Sequence, residues 1–135
     1  MALMEPAQPS PERYATKFSA PIIELDLFKE LAEIRAGAAY GGADHAAMTL
    51  VNEEDLRVVL IALRAQGHMH QHRAHGPIVL QALEGSLRLG VGERTLELRR
   101  GGLMAIDAGL PHDVEAIEQS ALLLVIGGTG GRSSE

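Results

Sequence analysis

The chain has 135 residues, of which 46% are hydrophobic, and this length and composition suit a single globular domain. Its 18 acidic and 12 basic residues give a formal net charge of -6, which works against nucleic acid or anionic membranes as partners, since both are bound by clustered cationic side chains. Cysteine is absent, so disulfides and thiolate chemistry are excluded and any metal site must use nitrogen and oxygen donors.

The N-terminal segment, residues 1–22, is predicted to be an extended arm. It carries four prolines among small and polar residues, and proline lacks the N–H donor that regular structure uses. The segment has neither a basic start nor an apolar run of signal-peptide length, and no later stretch is long and apolar enough to span a bilayer. These missing signals make the cytoplasm the expected location.

The following segment, residues 23–46, is predicted to hold one short amphipathic helix and a loop. Asp26 is a suitable N-cap for the helix, and Gly37 is a stop signal. Four apolar residues follow one another at steps of 4, 4 and 3, the spacing of one helical face: Ile23, Leu27, Leu31 and Ile34.

From about residue 47 the pattern changes to short strands separated by turns, which is typical of an all-β sandwich or barrel. Two of these strands are apolar on both faces, so we expect one face of each to be covered by the helix or by a second subunit. We therefore predict a barrel domain over residues 47–127 and a disordered glycine-rich tail over residues 128–135. The predicted strands are 47–52, 56–65, 68–73, 77–84, 86–91, 94–99, 103–107, 112–117 and 121–126.

Five histidines have a spacing that suggests a metal site: His68, His70, His72, His75 and, far downstream after a proline, His112. Residues i and i+2 of a strand point to the same side about 7 Å apart, so two imidazoles can bind one ion. Three in succession on an extended strand cannot all reach it. A pair from the first group could therefore bind a metal together with the downstream histidine. The alternative is that all of these histidines are solvated surface residues.

Two stretches resemble the motifs of the cupin superfamily. The first begins with His70-Gln-His72 and ends at Gly85, similar to the family's HxH motif. The second runs from Gly101 to His112 and has the family's spacing of glycine, five residues, proline, one residue, glycine, two residues and histidine, with Asp107 in place of the proline. The resemblance covers roughly residues 55–126. It implies a double-stranded β-helix, which is a jelly-roll barrel whose open mouth holds a metal or a ligand.

The resemblance also implies a set of metal ligands. His70 and His72 are the preferred pair because they come nearest to the family's spacing before Gly85, and His112 closes the site from across the barrel. Surface positions at the mouth are expected for His68 and His75.

The glutamate ligand of the family motif is missing, since Gly76, Pro77 and Ile78 occupy its place. Gln81 is a candidate oxygen donor, but its strand parity is wrong unless the Gly-Pro kink shifts the register. His75 is the other candidate replacement. A nitrogen-rich site favours Fe, Zn, Mn, Ni or Cu over magnesium or calcium, which prefer oxygen.

The sequence leaves three functions open. The first is a metal-dependent enzyme of dioxygenase, isomerase or lyase type that acts on a small polar molecule. The second is a non-catalytic module that senses or binds a metal or metabolite, and the third is a structural cupin with an empty pocket. A homodimer is expected, because the doubly apolar strands and the proline-rich arm both suit a subunit contact.

Overall fold

The structure is a computed structural model that describes residues 21–128, apart from the side chain of His72. Two helices precede nine strands in this part of the chain. The helices are α1 (Leu27–Ala36) and α2 (Ala38–Gly41). The strands are β1 (His45–Glu53), β2 (Leu56–Leu63), β3 (His68–His72), β4 (Ile78–Glu84), β5 (Ser86–Val91), β6 (Arg94–Arg99), β7 (Leu103–Ile106), β8 (His112–Ala116) and β9 (Ser120–Gly127).

The strands form two antiparallel sheets that face each other as a jelly-roll barrel. One sheet has five strands in the order β1-β2-β9-β4-β7, and the other has four in the order β3-β8-β5-β6. Neighbouring strands in each sheet are mostly distant in the sequence, so the chain crosses repeatedly from one sheet to the other. This crossing brings the end of β3 beside the start of β8, which are separated by about forty residues along the chain.

The space between the two sheets is filled by one apolar core. Both sheets contribute to it through alternate residues, as expected for strands with one face directed inward. Its best-buried members include Leu63 on β2, Leu87 and Leu89 on β5, and Ala116 on β8, all with no solvent exposure. Burying each of these leucine side chains stabilises the fold by about 1.5–3 kcal/mol.

A second apolar cluster lies between α1 and the outer face of the five-stranded sheet. Leu31 and Ile34 of the helix pack there against Leu60 and Ala62 of β2. The helix is capped by Asp26, whose Oδ1 accepts hydrogen bonds from the N–H groups of residues 28 and 29. The sequence prediction that the helix covers one face of a doubly apolar strand is therefore confirmed for β2.

The predicted elements agree closely with the observed ones. All nine strands are present with ends shifted by two residues or fewer, and the helix starts after Asp26 and ends at Gly37 as predicted. Three differences lie in the segment predicted as one helix and a loop. Ile23 precedes α1 and is exposed rather than part of its apolar face, residues 38–41 form the short helix α2, and β1 already begins at His45. Residues 1–20 of the predicted arm and residues 129–135 of the predicted tail lie outside the described residues.

Within residues 21–128, no helix has the length and apolar character that crossing a bilayer requires. The cytoplasmic location and the lack of a nucleic-acid partner stay predictions.

Candidate metal centre and its pocket

His112 is a buried polar residue on the inner face of the barrel. It stands at the start of β8 with only 3% of its surface exposed, and its neighbour two residues on, Val114, belongs to the core between the sheets. On the adjacent strand β5, the residue directly opposite is Val91, which also packs against that core. The imidazole therefore lies in apolar surroundings, where a polar group needs a specific partner.

A backbone carbonyl holds the His112 ring in a defined orientation. Nδ1 lies 3.1 Å from the carbonyl oxygen of Leu110, and because a carbonyl can only accept, Nδ1 must carry the proton and donate it. In the neutral ring, Nε2 then carries the lone pair. Histidines that bind metals are typically oriented by this kind of hydrogen bond from the other ring nitrogen.

The turn that presents His112 depends on Gly109 and Asp107. Gly109 has a φ of 83°, in the left-handed region that glycine adopts without strain. Asp107, which replaces the proline of the cupin motif, accepts a hydrogen bond of 2.8 Å at Oδ1 from the N–H of Ala108. A side-chain hydrogen bond thus stabilises the turn at the position where the motif uses a proline ring.

The pairing of β3 with β8 places His72 opposite His112. Met69 is paired with Val114 and His72 with His112, so two residues of β3, His70 and Gln71, face the single residue Asp113. This two-against-one arrangement is a β-bulge. Residues directly opposite each other in an antiparallel pair belong to the same face, which assigns position 72 to the inner face of the barrel.

His70 lies on the outside of the barrel. Its side chain is exposed, and its ring contacts that of His68 edge to face, with 4.9 Å between centroids. His68 is in turn paired with Asp113, with Nε2 donating to Oδ2 over 3.3 Å. The prediction that His70 and His72 share one face does not hold in this register, because it assumed strict alternation and the bulge interrupts it.

The predicted oxygen donor Gln81 also lies on an outer face. On β4 the residues before and after it, Leu80 and Ala82, point into the core between the sheets, so Gln81 points away from it. Its partner on β9 is Leu123, which packs with the outer cluster beneath α1. The register shift that Gln81 would have needed lies further along the strand pair, after Ala82. Gln81 is therefore not positioned to bind a metal beside His112.

A pocket of about 370 Å³ opens at the end of the barrel where β3 ends and β8 begins. Its walls come from two loops: Arg73, Ala74 and His75 from one, and Ala108 and Gly109 from the other. The two loops are joined by a hydrogen bond of 3.1 Å from the N–H of Gly109 to the carbonyl of Ala74. One loop follows His72 directly and the other precedes His112, so the pocket is formed by the loops attached to these two strand ends.

Arg73 is the pocket residue that the sequence analysis did not single out. It lies between His72 and His75, in a segment where histidine spacing is the main sequence signal and a single arginine forms no motif. No group of three or more His, Asp or Glu side chains suited to a metal is found among the described side chains, which do not include that of His72.

No protein-family model and no curated protein sequence matches this chain, but solved structures do. A conserved protein of unknown function from Streptococcus pyogenes is 23% identical with a TM-score of 0.64, and the match covers 84% of this chain and 93% of that one. A cupin superfamily protein from Desulfitobacterium hafniense is 12% identical with a TM-score of 0.60, covering 62% of this chain and 76% of the other.

A third similar structure is salicylate 1,2-dioxygenase from Pseudoaminobacter salicylatoxidans, which has also been solved with gentisate. It is 24% identical with a TM-score of 0.60 over 64% of this chain, and the match spans only 27% of the dioxygenase. At such identities the likeness concerns the fold. It agrees with the two facing sheets and the short helix described above.

Proposed function

We propose that this protein, whose fold is that of the cupin superfamily, binds a divalent transition metal beside His72 and His112 and acts there on a small polar molecule. The observation that carries the proposal is the anchoring of His112. Its ring is buried on the inner face, and the hydrogen bond from Nδ1 to the Leu110 carbonyl gives the neutral ring its lone pair at Nε2, the form in which a histidine binds a metal.

The donor set suits a transition metal. Two imidazoles from neighbouring strands would hold the ion, and cysteine is absent from the chain. Because imidazole nitrogens favour transition metals, the candidate ions are Fe, Zn, Mn, Ni and Cu. His75 in the adjoining pocket is the remaining candidate for the position of the missing glutamate. With few protein ligands, such an ion would supply a Lewis-acid or redox centre with open positions for water, oxygen or a chelating substrate.

The residues around this position would control access to it. Val91 and Val114 give the inner side an apolar lining that excludes water and strengthens electrostatic interactions. The loops after β3 and before β8 form the pocket, which is lined by the polar side chains of Arg73 and His75. A small polar molecule would therefore enter through the loops and meet the metal at their base.

We favour a metal-dependent enzyme over a sensing module. Support comes from the structural likeness to salicylate 1,2-dioxygenase, a protein with an established reaction on this fold. A dioxygenase, isomerase or lyase type of reaction is compatible with two histidine ligands and an open pocket.

Elemental analysis of purified protein and matched variants tests the proposal. We expect near-stoichiometric transition metal in the wild-type chain and in His70→Ala, because His70 lies outside the barrel. His72→Ala should lose most of the metal while its far-ultraviolet circular dichroism remains that of a folded β protein.

Two outcomes would contradict this assignment. If the wild-type protein takes up no metal after dialysis against each of the five ions, there is no metal centre. If His70→Ala loses the metal and His72→Ala keeps it, the register of β3 assigns the wrong histidine to the site.

We also propose a homodimer formed through the outer face of β4, β7 and β9. Leu103 on the edge strand β7 is 61% exposed, and its neighbours on this face, Val79, Ala105 and Val125, lie outside the cluster that α1 covers. Gln81 lies beside Leu103 on this face, and none of these residues is charged, so two copies can meet about a two-fold axis without like-charge repulsion.

Light scattering at micromolar concentration should therefore give about twice the chain mass of 14.4 kDa. Leu103→Glu should halve the measured mass, since it would place a carboxylate in the contact. Phe28→Glu, at an exposed position on α1, serves as the control and should leave the mass unchanged. A wild-type protein of monomeric mass would overturn the dimer.

A further inference from the structure

The pocket between the two loops contains a cation that no described carboxylate neutralises. Three arginines of the described chain are ion-paired: Arg88 with Glu115 at 3.1 Å, Arg99 with Glu97 at 3.4 Å and Arg35 with Glu84 at 2.8 Å. Arg73 forms no ion pair within residues 21–128. The pocket therefore offers a positive side chain that is not neutralised by a neighbouring carboxylate of the described chain.

The size and lining of the pocket indicate a small ligand. Its volume of about 370 Å³ is at the lower end of the range for small-molecule sites. Three of its five lining residues, Ala74, Ala108 and Gly109, are small, and none is aromatic, so that ring stacking would contribute little. The specific interactions are left to Arg73 and His75.

The backbone of the pocket favours a carboxylate over a phosphate. Phosphate sites commonly use several free backbone N–H groups, as in helix N-termini and nests. Here the N–H of Gly109 already donates to the Ala74 carbonyl, and the N–H of Ala108 donates to Asp107. Neither N–H group is therefore open to a phosphate, whereas the guanidinium of Arg73 matches the charge and the two oxygens of one carboxylate in a bidentate pair.

From these observations we infer that Arg73 binds the carboxylate of a small carboxylic acid in this pocket, next to the proposed metal position. The inference rests on the proposed function, because it names the substrate class of the same site. Arg73 directly follows His72, and the facing wall, Ala108 and Gly109, precedes His112 in the turn. The pocket is therefore formed by the two loops attached to the strand ends that carry His72 and His112.

Calorimetric titration of the full-length protein with succinate and with its neutral analogue succinamide tests the inference. Succinate should bind to the wild-type chain and to Arg94→Gln, which removes an exposed arginine elsewhere on the barrel. Arg73→Gln should weaken succinate at least about tenfold, the range expected for loss of a charge-assisted pair. Succinamide should not bind measurably to any of the three.

The outcomes separate this inference from the metal proposal. If Arg73→Gln binds succinate as well as the wild-type chain while metal content is normal, the carboxylate site is overturned and the metal centre stands. If the protein holds no metal but succinate binding still depends on Arg73, the carboxylate site stands without the metal. Tighter binding of inorganic phosphate than of succinate would overturn the choice of a carboxylic acid.

Discussion

Replacing His112 with alanine is expected to lower the affinity of the protein for its metal by more than about 100-fold. Removal of a residue that only orients a ligand typically costs 10–100-fold, and His112 is proposed to be a ligand itself. The fold should persist, because the ring is one side chain at the end of a strand whose other inward residues, Val114 and Ala116, remain in the core. Competition against a chromophoric chelator measures the affinity.

The matched control for this variant is His68→Ala. His68 is on the other side of the same strand pair, where its Nε2 forms a hydrogen bond with Asp113 in partly exposed surroundings. Its removal should leave metal affinity within a factor of about two, because its ring lies on the opposite face from the buried His112 and exposed pairs of this kind contribute little to the fold. Equal metal affinities for His112→Ala and His68→Ala would show that the anchored ring has no part in coordination.

Gly76→Ala is expected to destabilise the protein by about 3 kcal/mol, at the upper end of the cost of overpacking. A Cβ at this position would overlap the carbonyl oxygen of Gly127, and the nearest atoms belong to the backbone rather than to a flexible side chain. Neither the loop before β4 nor the end of β9 can move easily, because the N–H of Gly127 also donates to the Pro77 carbonyl over 3.0 Å. Urea unfolding monitored by circular dichroism measures the change.

Gly41→Ala is the control for this substitution. Gly41 is exposed, a Cβ there would meet nothing within 4 Å, and its backbone is not in the left-handed region. At the end of a helix, alanine should be neutral or stabilising by up to about 1 kcal/mol. A Gly76→Ala protein as stable as Gly41→Ala would mean that the loop and the end of β9 are not packed as closely as described.

The fold could be predicted from the sequence because its signals are local. Short strand-like runs bounded by turn residues marked all nine strands, and helical spacing with a capping aspartate marked α1. The spacing of glycine, glycine and histidine from Gly101 to His112 also predicted that His112 would begin a strand after a turn. Each of these features depends on residues close to one another in the chain.

The arrangement of the first histidine group could not be predicted in the same way. A strand with polar residues at nearly every position, such as His68–His72, carries no pattern that reveals its inner face. The bulge opposite Asp113 depends on pairing with a strand about forty residues away, so His70 was assigned to the wrong face. Similarly, the pocket that Arg73 lines could not be predicted, because Ala108 and Gly109, which complete it, are distant from Arg73 in the sequence.

The loops at the pocket end of the barrel are fixed to their surroundings mainly through main-chain atoms. Gly109 is bonded to Ala74, Gly127 to Pro77, and Gly92 to Pro111, each between a backbone N–H and a carbonyl. None of these bonds uses the side chains of Arg73, Ala74, His75 or Ala108, which line the pocket. The barrel is accordingly a suitable scaffold for redesign, since new substrate preferences could be introduced by exchanging the pocket side chains without rebuilding the loops that carry them.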